Sequence, residues 1–343
     1  MITREEALDL FQSDDLIGIG MEADRIRRHW HPEGVVSYII DRNINYTNFC
    51  TEYCSFCAFY RAPGSPEGYV LPNEVIYEKI QETLDLGGTG VLMQGGLHPD
   101  LKIEWYEDLF RGIKARYPIH LHCLSAPEVT NIAEVSGLSL RDTIARLRDS
   151  GLDSIPGGGA EILDDAVRHR ISRLKCGTQE WLDVHRTAHQ LGMRTTATMM
   201  FGCGETLEQR MNHLELVRNL QAETGGFTAF IPWTFQRENT SLGRFVKEEA
   251  TAVEYLQTLA ISRIYMDNFE NVQSSWVTQG LKTCQMGLRF GGNDVGSIMI
   301  EENVVSAAGA HHRASEEELR RIIRDAGFVP KQRDTLYRTY FLN

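Results

Sequence analysis

Short apolar runs alternate along this chain with longer stretches whose apolar positions recur at helical spacing. The runs predict eight strands: Ile44 to Asn48, Gly90 to Gln94, Ile119 to Leu124, Ser154 to Gly157, Thr195 to Phe201, Phe227 to Phe235, Asn271 to Thr278 and Gln285 to Gly291. Helical stretches lie between most of them. Glu74 to Leu86 places Val75, Ile76, Ile80 and Leu84 on one face and ends at Gly87. Trp105 to Arg116 stops before Pro118, Ser139 to Asp149 at Gly151, Gln179 to Gln190 at Gly192, and Glu205 to Ala222 before Gly225. Repeated β/α units predict an α/β fold, a closed (β/α)8 barrel, with an open doubly wound sheet as the alternative. Two extensions frame it. Thr3 and Glu6 read as a capping box opening an N-terminal helix, and a second helical run ends at Trp30-His31-Pro32. Ser315 and Glu318 repeat the box before a helix that stops at Gly327. The expected organisation is one domain: a helical extension over 1–34, the barrel over 35–310, and a C-terminal helix and tail over 311–343.

Composition narrows the function classes. The 343 residues are 42% hydrophobic and 24% charged, with a net charge of −12. Disorder and fibrous architecture are excluded, and nucleic acid or an anionic membrane is a poor partner for so acidic a chain. Charge-free runs are too short to span a bilayer. Met1 to Leu10 carries Arg4, Glu5, Glu6 and Asp9, which is unlike a secretory signal. Seven cysteines are too few and too scattered for a disulfide scaffold, so a reducing cytoplasm is expected.

Three of those cysteines fall together in Cys50-Thr-Glu-Tyr-Cys54-Ser-Phe-Cys57. The other four, Cys123, Cys176, Cys203 and Cys284, form no second cluster. Structural zinc wants four ligands, and an electron-transfer cluster normally takes four cysteines. Three thiolates on a four-iron cluster leave one iron open to a substrate or cofactor. The loop follows the first predicted strand, at the barrel end where active sites are built. A zinc or redox-sensing thiol module is the alternative of another class.

This spacing after the first strand of a barrel resembles the radical S-adenosylmethionine superfamily, with Phe56 as its aromatic residue. The resemblance implies one [4Fe-4S] cluster on Cys50, Cys54 and Cys57, and S-adenosylmethionine chelated through its amino and carboxylate groups. It implies cleavage to a 5′-deoxyadenosyl radical and a reducing partner such as flavodoxin or ferredoxin. Further cofactor-binding residues follow on the same ground. Gln94, Gly95 and Gly96 resemble the stretch that contacts the methionine amino group, although no Glu follows the glycines. Glu161, after Gly157-Gly158-Gly159-Ala160, resembles the ribose-binding carboxylate; otherwise it reads as an acid at a helix N-terminus. Gly202 and Glu205 resemble a stretch near the adenine, with Cys203 where relatives usually carry His.

Longer segments resemble the futalosine-pathway enzymes of menaquinone biosynthesis: Asp41 to Asn48, Gly95 to Asp100, Gly157 to Glu161, Thr224 to Trp233 and Asp294 to Glu302. Gly88 to Gln94, Pro232 to Thr234 and Ser275 to Gln279 are closest to the cyclic dehypoxanthinyl futalosine synthases. Aminofutalosine synthase and the deazaflavin-cofactor synthases are the alternatives. The implied reaction takes hydrogen from ribose C4′ of dehypoxanthine futalosine and closes a bond to its benzoate ring. Arg237, Arg289 and Trp233 are candidates to bind this anionic substrate, and His98, Asp294 or Glu301 to remove the ring proton. His185 and His189 lie four apart on a predicted helix and read as surface; His120 and His122 share one face of a strand, as a core pair or in contact with substrate.

Overall fold

The computed structural model describes residues 2–341; Met1, Leu342 and Asn343, the outer ends of the two predicted extensions, lie outside the described residues. Ten strands occur in chain order: β1 Val35–Ile39, β2 Asp41–Ile44, β3 Gly90–Met93, β4 His120–Cys123, β5 Ser154–Ile155, β6 Arg194–Phe201, β7 Phe227–Thr234, β8 Asn271–Val272, β9 Asp294–Ser297 and β10 Val329–Gln332. Strands β2 to β8 form a seven-stranded sheet in sequential order, every pair parallel. Only Ile40 separates β1 from β2, and β1 pairs with β9, Ser37 opposite Asp294 and Ile39 opposite Ser297. A parallel bridge from Gln273, just past β8, to Asp294 then joins the two ends. The order returns to its start, so the chain folds as the expected barrel rather than an open sheet.

Three expected strands differ most from the structure, and of these Asn271 to Thr278 is strand only over Asn271–Val272 before the chain turns. Gln285 to Gly291 is no strand: the end of helix Gly280–Gly287 occupies its first three residues and a turn the rest, and β9 closes the barrel instead. Met286, Leu288 and Phe290 alternate as a strand would, but the buried positions Gly280, Cys284 and Gly287 recur at helical spacing. The first strand runs through Asp41–Ile44 and leaves the sheet where Asn45 begins. Asn45 Nδ2 donates to the Gln94 carbonyl (3.1 Å) and Asn48 Nδ2 to that of Glu67 (3.1 Å). Such side chains compete with the ladder for backbone partners.

Inward and outward positions alternate. Ile44, Val91, Met93, Leu121, Cys123, Ile155 and Ala197 join the apolar layer between sheet and helices. His185 and His189 also belong in that layer, not on the surface. His185 is fully buried against Trp181 and Phe227, while His189 bonds Thr224 (2.7 Å) and Thr195 (2.8 Å).

Both capping boxes form, at Thr3 with Glu6 and at Ser315 with Glu318. The C-terminal stretch is more than a helix and tail, because β10 pairs with β1 and carries Arg333 under the barrel. There Arg333 grips the fully buried Asp294 at 2.6 and 3.0 Å.

Candidate active site

All three clustered thiols line one cavity of about 230 Å³ at the C-terminal ends of the strands. Their loop is pinned on several sides. Cys50 N donates to the Arg61 carbonyl (2.9 Å) and Arg61 N to that of Asn48 (2.7 Å). Ser55 N reaches the Ile171 carbonyl and Leu242 N reaches that of Ser55, each at 2.8 Å. Burial pushes the Cys54 thiol up to about 12 and raises that of Cys50. These thiols become stable thiolates only where a cation lies against them. Among the described residues, no three His, Cys, Asp or Glu side chains close around a single ion. Three adjacent thiols lining one cavity, those of Cys50 and Cys54 buried and that of Cys57 part-exposed, fit a multi-iron cluster.

Gln94, Gly95, Gly96 and Leu97 line the same cavity, packed directly against the thiol loop, where Thr51 N donates to the Leu97 carbonyl at 3.2 Å. These glycines are required by the protein itself rather than by a ligand. A Cβ on Gly95 would lie 2.7 Å from the Tyr46 ring, and one on Gly96 2.2 Å from the Phe49 carbonyl. Behind them sits Glu128, which the sequence reading missed. It is 2% exposed and lines the cavity. Its Oε1 accepts from Gly95 N (2.9 Å) and the Tyr46 hydroxyl (2.7 Å), and its Oε2 from the Ser125 hydroxyl (2.7 Å). A carboxylate thus stands beside the glycines from the first turn of helix Ala126–Ser136. Burial pushes the Glu128 carboxyl up to about 7.

Glu161 also faces the cavity, with left-handed backbone at φ 42°. The helix-terminus alternative does not hold, because the next helix is Asp165–Ile171 and Asp164 caps it. Lys175, a second residue the sequence reading missed, donates to Glu161 Oε1 at 3.0 Å, and Arg168 lies 3.7 Å from Oε2. Glu161 Oε2 has no hydrogen-bond partner and is fully enclosed. That orphaned acceptor, on a residue lining the cavity, fits a ligand bearing hydroxyl groups. Burial opposes the Lys175 charge, but Glu161 and Cys54 outweigh it and hold the ammonium above its usual range. Phe56 and Trp233 complete the lining, with Lys175 Nζ 5.2 Å from the Phe56 ring centre.

Several expected residues stand elsewhere. Arg237 is spent on the carbonyls of Lys247 (2.5 Å) and Gly243 (3.2 Å). Arg289 packs on Phe328 and donates to the Ala326 carbonyl, because its expected strand is a helix followed by a turn. Neither lines the cavity. Asp294 is saturated by Arg333, Ser37, Tyr337 and Gly296 N at the barrel seam, so it has no lone pair to offer a proton. Glu301 is tied to Lys79 (2.6 Å) and Asn303 (2.9 Å), outside the cavity lining. His98 also falls outside it, edge-on to Phe49, accepting from Asp100 N at Nδ1. Gly202 (φ 78°) and Glu205 shape the turn after β6: Glu205 accepts from Gly202 N and Cys203 N and pairs with Arg210 (2.6 Å). They lie behind the mouth rather than on its lining. Cys203 is fully buried, its Sγ 3.4 Å from Glu205. A separate hollow of about 360 Å³, lined by Glu22, Arg25, His29 and Trp30 among others, shares no residue with the mouth.

Comparison with known proteins agrees with this geometry. The model of the radical SAM superfamily matches residues 44–217, and that of the CofH/MqnC C-terminal region matches 224–342. The chain is 51% identical to the cyclic dehypoxanthine futalosine synthase of Halalkalibacterium halodurans, over 98% of this chain and 90% of that protein. It is 46% identical to the synthase of that name from Streptomyces coelicolor, over 98% of this chain and 85% of that protein. A 5-amino-6-(D-ribitylamino)uracil–L-tyrosine 4-hydroxyphenyl transferase of Methanococcoides burtonii is 42% identical, over 98% and 95% of the two chains. Among solved structures, methylornithine synthase superposes with a TM-score of 0.74 at 18% identity, covering 96% of this chain and 94% of that one.

Proposed function

The chain belongs to the radical S-adenosylmethionine superfamily, and on that premise we propose that it is a cyclic dehypoxanthine futalosine synthase acting in menaquinone biosynthesis. What carries this reading is full-length similarity to two such synthases, joined to a mouth built on three thiols. As a radical SAM enzyme, the protein uses one [4Fe-4S] cluster and S-adenosylmethionine, and it needs a reductant. When bound, these cofactors supply a 5′-deoxyadenosyl radical that removes one hydrogen atom from ribose C4′ of dehypoxanthine futalosine.

The chain's own residues do the rest by placement. Cys50, Cys54 and Cys57 hold the cluster, on a loop that Ser55 ties to the Ile171 carbonyl. Glu128 fixes Gly95 and so keeps the glycine wall in place. Glu161 offers its free oxygen to ribose hydroxyls while Lys175 holds the other. Gln94, Asn45 and Trp233 bound the side on which the substrate folds its benzoate ring back onto its sugar. Ring closure requires the reacting carbons about 3–3.5 Å apart, and a preorganised wall supplies that proximity. Overall, one hydrogen atom passes to the deoxyadenosyl group and one proton leaves the substrate, and the one electron released on rearomatisation would balance the one that cofactor cleavage consumes. A flavodoxin or ferredoxin suits the reductant's role.

A second reading follows from the 42% identical transferase. One isotopic experiment separates them. Reconstituted enzyme is given dehypoxanthine futalosine deuterated at C4′, and the 5′-deoxyadenosine is weighed by mass spectrometry. One deuterium per product is expected. Undeuterated 5′-deoxyadenosine rejects C4′ abstraction. An adenosyl group in the product assigns the chain to aminofutalosine synthesis, and turnover of tyrosine with 5-amino-6-(D-ribitylamino)uracil assigns it to the transferase.

A further inference from the structure

The substrate of the cyclase reading is a carboxylate anion, yet neither expected arginine reaches the mouth. The other cations flanking the barrel interior are committed. Arg333 is held by Asp294; Lys175 is paired with Glu161, and Arg168 donates to the Gly159 and Ala160 carbonyls.

Beneath the mouth lies a second polar layer. Asn43, Leu92 and Ile231 stand two residues before the cavity-lining Asn45, Gln94 and Trp233 on β2, β3 and β7. Two residues of strand rise about 6.6 Å, so this is the next tier down. Register puts Asn43, Leu92, His122 and Ser154 in one row. Leu92, His122 and Ile231 keep part of their surface open although the barrel encloses them, so the tier borders a hollow. Ser154 Oγ lies 2.6 Å from His122 Nδ1 and 2.7 Å from His120 Nε2. A hydroxyl has one proton, so it donates to one ring and accepts from the other. His122 Nε2 remains without a hydrogen-bond partner among the described residues.

We propose that His122, oriented by Ser154 and backed by His120, binds the substrate's carboxylate and takes up a proton as it does so. This rests on the cyclase reading. The charge would appear only with the ligand. In the free protein burial pushes His122 down to about 3 and lowers His120, so both rings are neutral. A carboxylate against Nε2 reverses that preference. The surrounding charges are Arg333 and His120 facing His122, and Asp153, Lys114, Asp334 and Arg338 facing His120, with His185 on the outer side. Asp153, bound by Lys114 (2.5 Å) and Leu121 N (2.7 Å), favours a charge on His120, whereas Arg333 and His120 oppose one on His122, so the ligand's carboxylate must supply the attraction there. Binding should therefore be tight at low pH and weaken as pH rises through the imidazolium pKa of the complex.

Anaerobic holoenzyme, carrying oxidised cluster and S-adenosylmethionine so that no turnover occurs, is titrated with dehypoxanthine futalosine. Calorimetry in two buffers of different ionisation enthalpy counts protons. Proton uptake approaching one per substrate is expected near pH 5, falling toward none by pH 8, because a neighbouring carboxylate raises the imidazole by about 1–3 units, and none is expected for the carboxyl methyl ester. His122→Asn keeps an amide at the Nδ1 position for Ser154. It should bind substrate about tenfold more weakly, as for a lost charge-assisted hydrogen bond, with no proton uptake. Its iron content and S-adenosylmethionine affinity should match wild type. Binding of the acid near pH 5 without proton uptake overturns the inference and leaves the cyclase reading intact. So does equal affinity of the ester, or a His122→Asn variant that binds and takes up protons as wild type does. If wild type binds S-adenosylmethionine but not the acid, the cyclase reading fails and this inference with it.

Discussion

At the floor of the barrel, Asp294 accepts from Arg333 at 2.6 and 3.0 Å, from Ser37 at 2.6 Å and from Gly296 N at 2.8 Å. At the mouth, three free thiols share one wall, and Glu52 Oε2 and Glu161 Oε2 are enclosed without a partner. Left-handed backbone at Tyr53, Leu124 and Glu161 surrounds the same place, against Tyr337 at the floor. The floor is not wholly satisfied, since Asp41 Oδ1 and Thr335 Oγ1 also lack partners. The contrast still holds for charge. The floor uses both oxygens of its carboxylate within the chain, whereas the mouth pairs only one oxygen of Glu161, with Lys175, and leaves the other and the thiols for a ligand to complete.

The most drastic way to probe this contrast is at the thiols. Cys54→Ala should abolish cluster assembly and S-adenosylmethionine cleavage, read by iron analysis and by 5′-deoxyadenosine formation, with a denaturation midpoint close to that of wild-type apoprotein. Full cleavage by Cys54→Ala would remove the mouth's distinction. At the floor the expected loss is of the other kind. Arg333→Met leaves Asp294 buried without its partner and should cost about 3–5 kcal/mol in denaturant unfolding. S-adenosylmethionine affinity of the folded fraction should not change. An Arg333→Met protein as stable as wild type would mean that the seam does not depend on the pair.

Glu161→Gln comes next. It should weaken S-adenosylmethionine binding by about 1.5–3 kcal/mol, the range for a hydrogen bond to a charged group. Equilibrium binding measures this, and a smaller change in unfolding than Arg333→Met gives would mark Glu161 as a mouth residue in function as well as place. An unchanged dissociation constant would make Glu161 a partner for Lys175 and nothing more.

The sequence made the barrel legible because strand runs and helix stops recur with little interruption, and the thiol loop legible because three cysteines are adjacent in the chain. It misled where local pattern and tertiary pairing disagree. Gln285 to Gly291 alternates like a strand, yet β9 wins the closing position through Asp294 and its pairing with β1. Arg237 and Arg289 were placed at the mouth by type and by expected strand, and both instead tie carbonyls on other segments. Glu128 and Lys175 were invisible for a different reason. Glu128 lies far along the chain from Tyr46 and Gly95, and its Ser125-x-x-Glu128 pattern announces only a helix start, while Lys175 lies far from the thiols it faces and in no motif.

The finest test of the comparison is at Glu128. Its carboxyl is pushed up to about 7 by burial, from an ordinary 4.5. Between those values the folded chain holds a proton that the unfolded chain has lost. The group's contribution to stability is therefore complete below 4.5 and is lost as pH rises through 7, at no more than about 1.4 kcal/mol per pH unit. Asp41, pushed up to about 6, acts in the same direction, while His213, pushed down to about 3, and His189, to about 4, act oppositely as pH falls. Wild-type stability alone mixes these contributions, and Glu128→Gln isolates one. Its carbonyl can still accept from Gly95 N and Tyr46, and the Ser125 hydroxyl can turn to accept from the new amide. The stability difference between variant and wild type should thus shift in the variant's favour as pH rises from 4.5 to 7. A difference flat across that range would show that Glu128 keeps one protonation state throughout. The carboxylate would then belong with the floor's permanently paired Asp294 rather than with the open chemistry of the mouth.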